Sequence, residues 1–498
     1  MKVSFSFLAS SEVERIRNPM KPNYGTWSFA LILSVAASLC ALLPVSSTFA
    51  QTIALAPATQ GGPQNPLLGG IPAGTRSSGT LSLSIKDTIE RGLRYNLGIA
   101  LGEEDIEAAR AARLRALSNF LPRVAIIASE SEQQVNLAAQ GFTGLPGIPQ
   151  ILGPFPVFDA RAHISQSVLN LSDRDALRAG TENLSAARSS YKNTRELVVL
   201  VCLQLYMQAV AGNSRIEANE VQLKTAQTLY ELAVSRKNAG FIPGIEVLRA
   251  QVQMQAQQQR LIVARNDFAK QKLNLAQAIG LPLGQDFQLT DKMSFAPMAD
   301  ITVEGAEQDA YRNRGDYQSA LAQVRAAEDE RRSAARQNAP SMNLNADYGD
   351  IGQHPTSSHG TFSVALSLRI PVFQGREVEA MIMSANARLA QQKAELESLR
   401  ARVYYEIQSA LLDIKSAEDR VQVAKSNLEL ANQQVVQAQD RFSSGVESNI
   451  EVVQAQDALA AATEDYISSL YAHNIAKVYL AQATGMAEAG YDRFLRGK

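Results

Sequence analysis

A chain of 498 residues with 48 Lys and Arg against 49 Asp and Glu has a formal charge of −1, so it offers no broad basic surface for nucleic acid. Two cysteines, Cys40 and Cys202, exclude a disulfide scaffold. Aromatics are only 6%, and long stretches rich in Ala, Gln, Glu, Arg and Leu point to long helices and coiled coils.

Residues 1–50 read as an export signal. Lys2, Arg15, Arg17 and Lys21 outnumber Glu12 and Glu14, the apolar run WSFALILSVAASLCALL follows, and Thr48-Phe49-Ala50 supplies a cleavage site before Gln51. At seventeen residues the same run is of borderline length for an uncleaved membrane anchor. Cys40 follows Leu39, not the small residue that precedes an acylated cysteine. Residues 51–80, rich in Gly, Pro, Ser, Thr and Gln, read as a flexible leader. No later segment holds eighteen unbroken apolar residues, so a further membrane crossing must use strands.

From Leu81 the chain writes one plan twice, over 81–282 and 303–487, with a linker at 283–302 and a tail at 488–498. Each copy has a helical stretch stopped at an X-Pro step (Leu121-Pro122, Ala339-Pro340), two strand-like runs, a very long helix, a turn and another helix. This is a single duplication and not a solenoid, whose period is shorter.

Strands are expected at about 123–170 and 341–372. In the second copy Met342, Leu344, Ala346 and Tyr348 alternate with polar residues, as do Phe362, Val364, Leu366, Leu368 and Ile370, which gives one apolar and one polar face. RVAIIAS and DARAHISQSVLNL keep the alternation more loosely in the first copy. Strands of about ten residues span a bilayer when tilted. The stretch GFTGLPGIPQILGPFP, residues 141–156, is too rich in Gly and Pro for regular structure and reads as a loop on the outer side of the membrane.

The second long helix is expected from about Arg376 to Phe442. Ile407, Ile414, Val421, Leu428, Val435 and Phe442 recur every seven residues, with Ala410, Ala417, Ala424, Ala431 and Ala438 between them, the 3-4 spacing of a left-handed coiled coil. The first copy follows this register through Cys202, Leu205, Ala209, Gly212, Ile216, Leu223, Ala226, Tyr230 and Ala233, which makes Cys202 a packing residue. Each helix would reach about 100 Å.

Two pairs of short strands between such helices cannot form a stable sheet alone, and strand edges inside a bilayer must be closed. Several protomers sharing one barrel is the simplest solution. A small soluble sheet capping a coiled-coil rod is the alternative.

The most specific signal is a sixteen-residue stretch that recurs 205 residues on: RKNAGFIPGIEVLRAQ at 236–251 and RFSSGVESNIEVVQAQ at 441–456. Gly240 and Gly445 end long helices, while Pro243-Gly244 and Ser448-Asn449 restart them. Glu246 and Glu451 fall in first turns, where the helix dipole favours negative charge.

With PVFQGR after the last strand and NFLPRV closing the first helical stretch, these motifs make Leu81 to about Ala487 resemble the TolC-like outer-membrane efflux protein family. The resemblance implies a mainly α fold with membrane β structure. Its internally duplicated, long antiparallel coiled-coil helices accompany four strands per protomer, which contribute to a shared trimeric twelve-stranded β-barrel. It further implies an outer-membrane location in a Gram-negative envelope, a helical tunnel in the periplasm, and as partners two further copies, outer-membrane lipid, a periplasmic adaptor and an inner-membrane pump. In the tip hairpins, at about 236–248 and 441–453, Arg236, Gly240, Arg441, Gly445, Val446 and Ser448 match adaptor-docking positions. Glu246, Glu447 and Glu451 would place acids at the tunnel mouth. Gln454 and Glu447 depart from the pattern, standing where the family can carry a second ring acid and a basic latch. Helix capping alone explains each Gly, and the dipole alone explains each first-turn Glu. Recurrence of R-x-x-x-G-x-x-x-x-I-E-V favours docking, because capping needs only the Gly.

The expected function is a passive exit duct of a tripartite efflux system for small molecules. The exit channel of a type I protein secretion system, and a soluble periplasmic coiled-coil adaptor or scaffold, are the alternatives. No Gly-rich phosphate loop, nucleophile elbow or zinc spacing points to an enzyme or a cofactor, and His354 and His359 read as loop residues.

Overall fold

The computed structural model describes residues 65–141, 147, 149–298, 301–446 and 449–496, all within one compact unit, Pro63–Lys498. The expected export signal lies outside the described residues, as do Glu447 and Ser448.

In chain order the elements are β1 (Leu81–Leu83), α1 (Ile85–Tyr95), α2 (Leu97–Ser118), β2 (Arg123–Asn136), β3 (Ile151–Leu169), α3 (Leu171–Asn238) and α4 (Gly244–Ala278). There follow β4 (Phe287–Leu289), α5 (Val303–Asn313), α6 (Gly315–Ala335), β5 (Ser341–Gly352), β6 (His359–Arg369), α7 (Glu377–Ser443), α8 (Asn449–Ala483) and α9 (Ala487–Arg496).

The long helices α3 and α7 have 68 and 67 residues, and α4 and α8 have 35 each. On α7 the seam is buried as the heptads require: Val403, Ile407, Ala410, Ile414, Ala417, Val421 and Ala424, then Ala431, Val435, Ala438 and Phe442. α3 packs against α4 and α8, and α8 against α7, so the four helices run in the order α4-α3-α8-α7 with alternating direction. One stretch of α3 is apolar enough to cross a membrane by composition but is mostly buried in a helix that α1, α2, α6, α8 and α9 surround.

The duplication is visible in how α1/α2 and α5/α6 break. Asn96 caps α2 through Gly98 N (2.8 Å) and donates to Ala278 O (3.0 Å) at the end of α4. Arg314, at the break between α5 and α6, donates to Ala483 O (3.1 Å) at the end of α8. Different side chains thus fasten the same joint in each copy.

β2, β3, β5 and β6 form one antiparallel sheet in that order. Register aligns Val124, Ile164, Ala346 and Val364 in one row, and Ile126, Ala162, Tyr348 and Phe362 in another, so one face is a continuous apolar surface. It is open: Ile126 is 82% and Phe362 77% exposed. The opposite face carries His163, Asp347 and Ser363 in one row, with Arg161 beside them donating from Nε to Asp159 (2.6 Å) and from Nη1 to Asp347 (3.2 Å).

Two features differ from the expectations. The stretch read as a loop over 141–156 is strand from Ile151, paired with Gln133–Asn136 across a bulge. β5 ends at Gly352 opposite Phe158, so β3 has a single neighbour there and Pro154 and Pro156 need donate no second-side hydrogen bond. In addition, β1 and β4, each three residues, pair in parallel within the helical region, a pairing too short for alternation to signal.

Candidate functional site

Both hairpin tips end their long helices in the same way. Gly240 N donates to Lys237 O (3.0 Å) and Phe241 N to Arg236 O (2.9 Å); Gly445 N donates to Phe442 O (3.1 Å) and Val446 N to Arg441 O (3.1 Å). Gly240 and Gly445 share φ of 76°, the left-handed conformation that this helix stop requires. The residue after each Gly is turned outward, with Phe241 80% and Val446 70% exposed.

The repeated arginines have different tasks. Arg236 reaches across to the other hairpin, donating to Phe442 O (2.6 Å) and Ser443 O, with its guanidinium 4.9 Å from the Phe442 ring centroid. It therefore caps the C-terminus of α7, where a cation is favoured by the helix dipole. Arg441 pairs with Glu451 at 3.9 Å, both half exposed. In return Asn449, fully buried, donates to Glu246 O at 3.4 Å.

Glu246 faces the groove between the hairpins instead of solvent. Its Oε1 pairs with Arg249 (2.7 Å), and its buried Oε2 has no hydrogen-bond partner among the described residues. The two tips flank an open groove of about 740 Å³ lined by Arg236, Phe241, Glu246, Phe442, Gly445 and Asn449, among others. Of the three acids singled out, Glu451 is exposed, Glu246 is buried, and Glu447 lies outside the described residues with Ser448.

Sequence reading missed the roles of Phe442 and Asn449 in this groove. Phe442 reads as a heptad residue and Asn449 as a cap, and nothing local shows that the other copy bonds to both. Cys202 is wholly buried, and burial pushes its thiol up to about 12, consistent with packing.

Long helical hairpins below a small antiparallel sheet with an open apolar face define a membrane duct subunit. The sequence profile described as "Outer membrane efflux protein" matches residues 93–281 and 307–486, covering both repeats, and the chain belongs to that family. It is 22% identical over 375 residues to Nodulation protein T of Rhizobium leguminosarum bv. trifolii, covering 72% of this chain and 76% of that one. It is 22% identical over 285 residues to the pyoverdine export outer membrane protein OpmQ of Pseudomonas putida, covering 55% of this chain and 59% of that one. The fold matches the CmeC outer membrane channel of Campylobacter jejuni with a TM-score of 0.72 at 16% identity, over 85% of this chain and 92% of that chain. The protein is an outer-membrane exit duct of tripartite export systems, with its helical tunnel in the periplasm.

Proposed function

We propose that three copies close into a twelve-stranded barrel continued by a helical tunnel. This duct would passively conduct small molecules that an inner-membrane pump delivers through a periplasmic adaptor docked on the tips. The observation that carries the reading is that this subunit has two open, complementary edges. β2 and β6 are the unpaired edges of the sheet and run in opposite directions, so β6 of one copy would meet β2 of the next in antiparallel sense. α4 and α7 are the outer helices of the row and also run in opposite directions. α4 exposes Ile245, Leu248 and Val252, and α7 exposes Tyr405, Leu412 and Leu430. Head-to-tail contact through both pairs closes a ring without leaving an edge in lipid. The count of three comes from the family resemblance; the edges themselves require only closure.

The adaptor role rests on the duplicated tip, where the outward Phe241 and Val446 flank a groove lined by the buried Glu246. The pyoverdine export relative supports a small-molecule cargo. The duct itself needs no catalytic group, because transport is driven from the pump. Native mass measurement of the detergent-extracted complex tests the assembly. A particle of three chains is expected; one or two chains would overturn the shared barrel.

A further inference from the structure

The segment joining the two repeats is tied to α8 at three consecutive residues. Asn474 Nδ2 donates to Ser294 O (3.4 Å), the His473 ring packs on Phe295 with centroids 4.9 Å apart, and the Lys477 ammonium donates to Ala296 O. His473 and Lys477 are one helical turn apart on α8 and both wholly buried. Neither ring nitrogen of His473 has a hydrogen-bond partner among the described residues. Buried polar groups are normally satisfied, so this imidazole is tolerated only as a neutral ring used for its faces.

The duplication supplies an internal comparison. α4 and α8 have equal length and lie 205 residues apart, so Phe268 occupies the place of His473 and Lys272 that of Lys477. In the first copy the lysine pairs with Asp286 (2.7 Å) and its neighbour cannot titrate. In the second copy a histidine stands in place of the phenylalanine, and the lysine bonds a neutral carbonyl.

We propose that residues 292–298 form an acid-released strap: protonation of His473 places a second positive charge beside Lys477, and the strap leaves α8 so that water reaches both. Other charged groups around this joint are Glu418 on α7, which favours the charged form of Lys477, Lys86 on α1, Asp291 and Lys292 at the start of the strap, and Asp492 on α9. α3 contributes the uncharged Met207 to the adjoining cavity. Burial and then Lys477 hold His473 down at about 4, against an ordinary value of 6.5. A histidine depressed in this way stabilises the closed strap above the ordinary value, and that stability is lost as pH falls toward the depressed one. Moving from pH 7 to pH 4 would shift the open-to-closed ratio by roughly a hundredfold. This inference is independent of how the tips dock.

Hydroxyl-radical footprinting of the full chain in detergent, across pH 7 to pH 4, reads the strap through oxidation of Met293, Phe295 and Met298. Wild type should show a steep acid rise in all three, while His473→Phe, which copies the first repeat, should stay protected. Lys477→Met removes the charge that repels the protonated ring, so its acid rise should be shallower than that of wild type. Unchanged labelling of wild type, or an equal acid rise in His473→Phe, would overturn the strap. Should His473→Phe fail to assemble, an acid rise in Lys477→Met as steep as that of wild type overturns it instead.

Discussion

The guanidinium of Arg236 donates to the carbonyl oxygen of Phe442 at 2.6 Å and lies over its ring, so the first repeat's tip holds the end of the second repeat's long helix. The two residues are 206 positions apart. This bond ties the two hairpins together at their tips.

Removing the clamp should loosen the mouth. Arg236→Ala is expected to raise the resting conductance of the purified duct in planar bilayers several-fold, with Arg236→Lys intermediate because a lysine cannot fork onto two carbonyls. Conductance equal to wild type in both variants would show that the clamp does not restrain the tips.

Docking and capping separate at the glycines. A Cβ on Gly240 or Gly445 meets nothing within 4 Å, so alanine at either site pays only the left-handed backbone cost, about 1–2 kcal/mol. Each variant should still assemble. If the tips dock an adaptor, a bulkier Gly445→Asp should abolish adaptor capture by an assembled duct. Unimpaired capture would reduce the repeated motif to two helix stops.

Adjacent residues of β6 should respond oppositely to charge. Leu366 is on the apolar face and Ser367, opposite Asn343, on the polar one. Leu366→Arg should cost about 2–4 kcal/mol near the bilayer centre and sharply lower the yield of assembled duct, whereas Ser367→Arg should be tolerated. Equal yields would mean that the apolar face does not meet lipid.

Packing midway along α3 can be tested by a double mutant. A Cβ on Gly92 would lie 2.4 Å from Cys202 Sγ, so Gly92→Ala should destabilise by about 1–3 kcal/mol. Cys202→Ala should recover much of that loss in the same chain. Additive losses in thermal unfolding would place the strain elsewhere.

Glu196 is buried and accepts a hydrogen bond from Glu488 N (3.0 Å) at the start of α9. Burial raises its carboxyl above the ordinary value, so the folded protein binds this proton more readily than the unfolded chain does, and stability falls as pH rises through that window. Glu196→Gln keeps an acceptor without the charge. The melting temperature of the variant minus that of wild type should grow from pH 5 to pH 7; a difference that is flat or shrinks would refute the assignment.

Much of this protein is legible in its sequence because the signals are local and periodic. The 3-4 spacing along α7 dictates a coiled-coil seam, strict alternation in β5 and β6 dictates a two-faced sheet, and a Gly ending each long helix dictates the turns. The repetition of all three declares the duplication. Only the tertiary structure decided that Arg236 holds Phe442, that Glu246 faces the groove, that β3 runs on through its prolines, and that His473 lies under the strap. Each of these depends on which surfaces the two copies present to each other across about two hundred residues of chain. No period in the sequence encodes that relationship; it follows from how the long helices pack side by side.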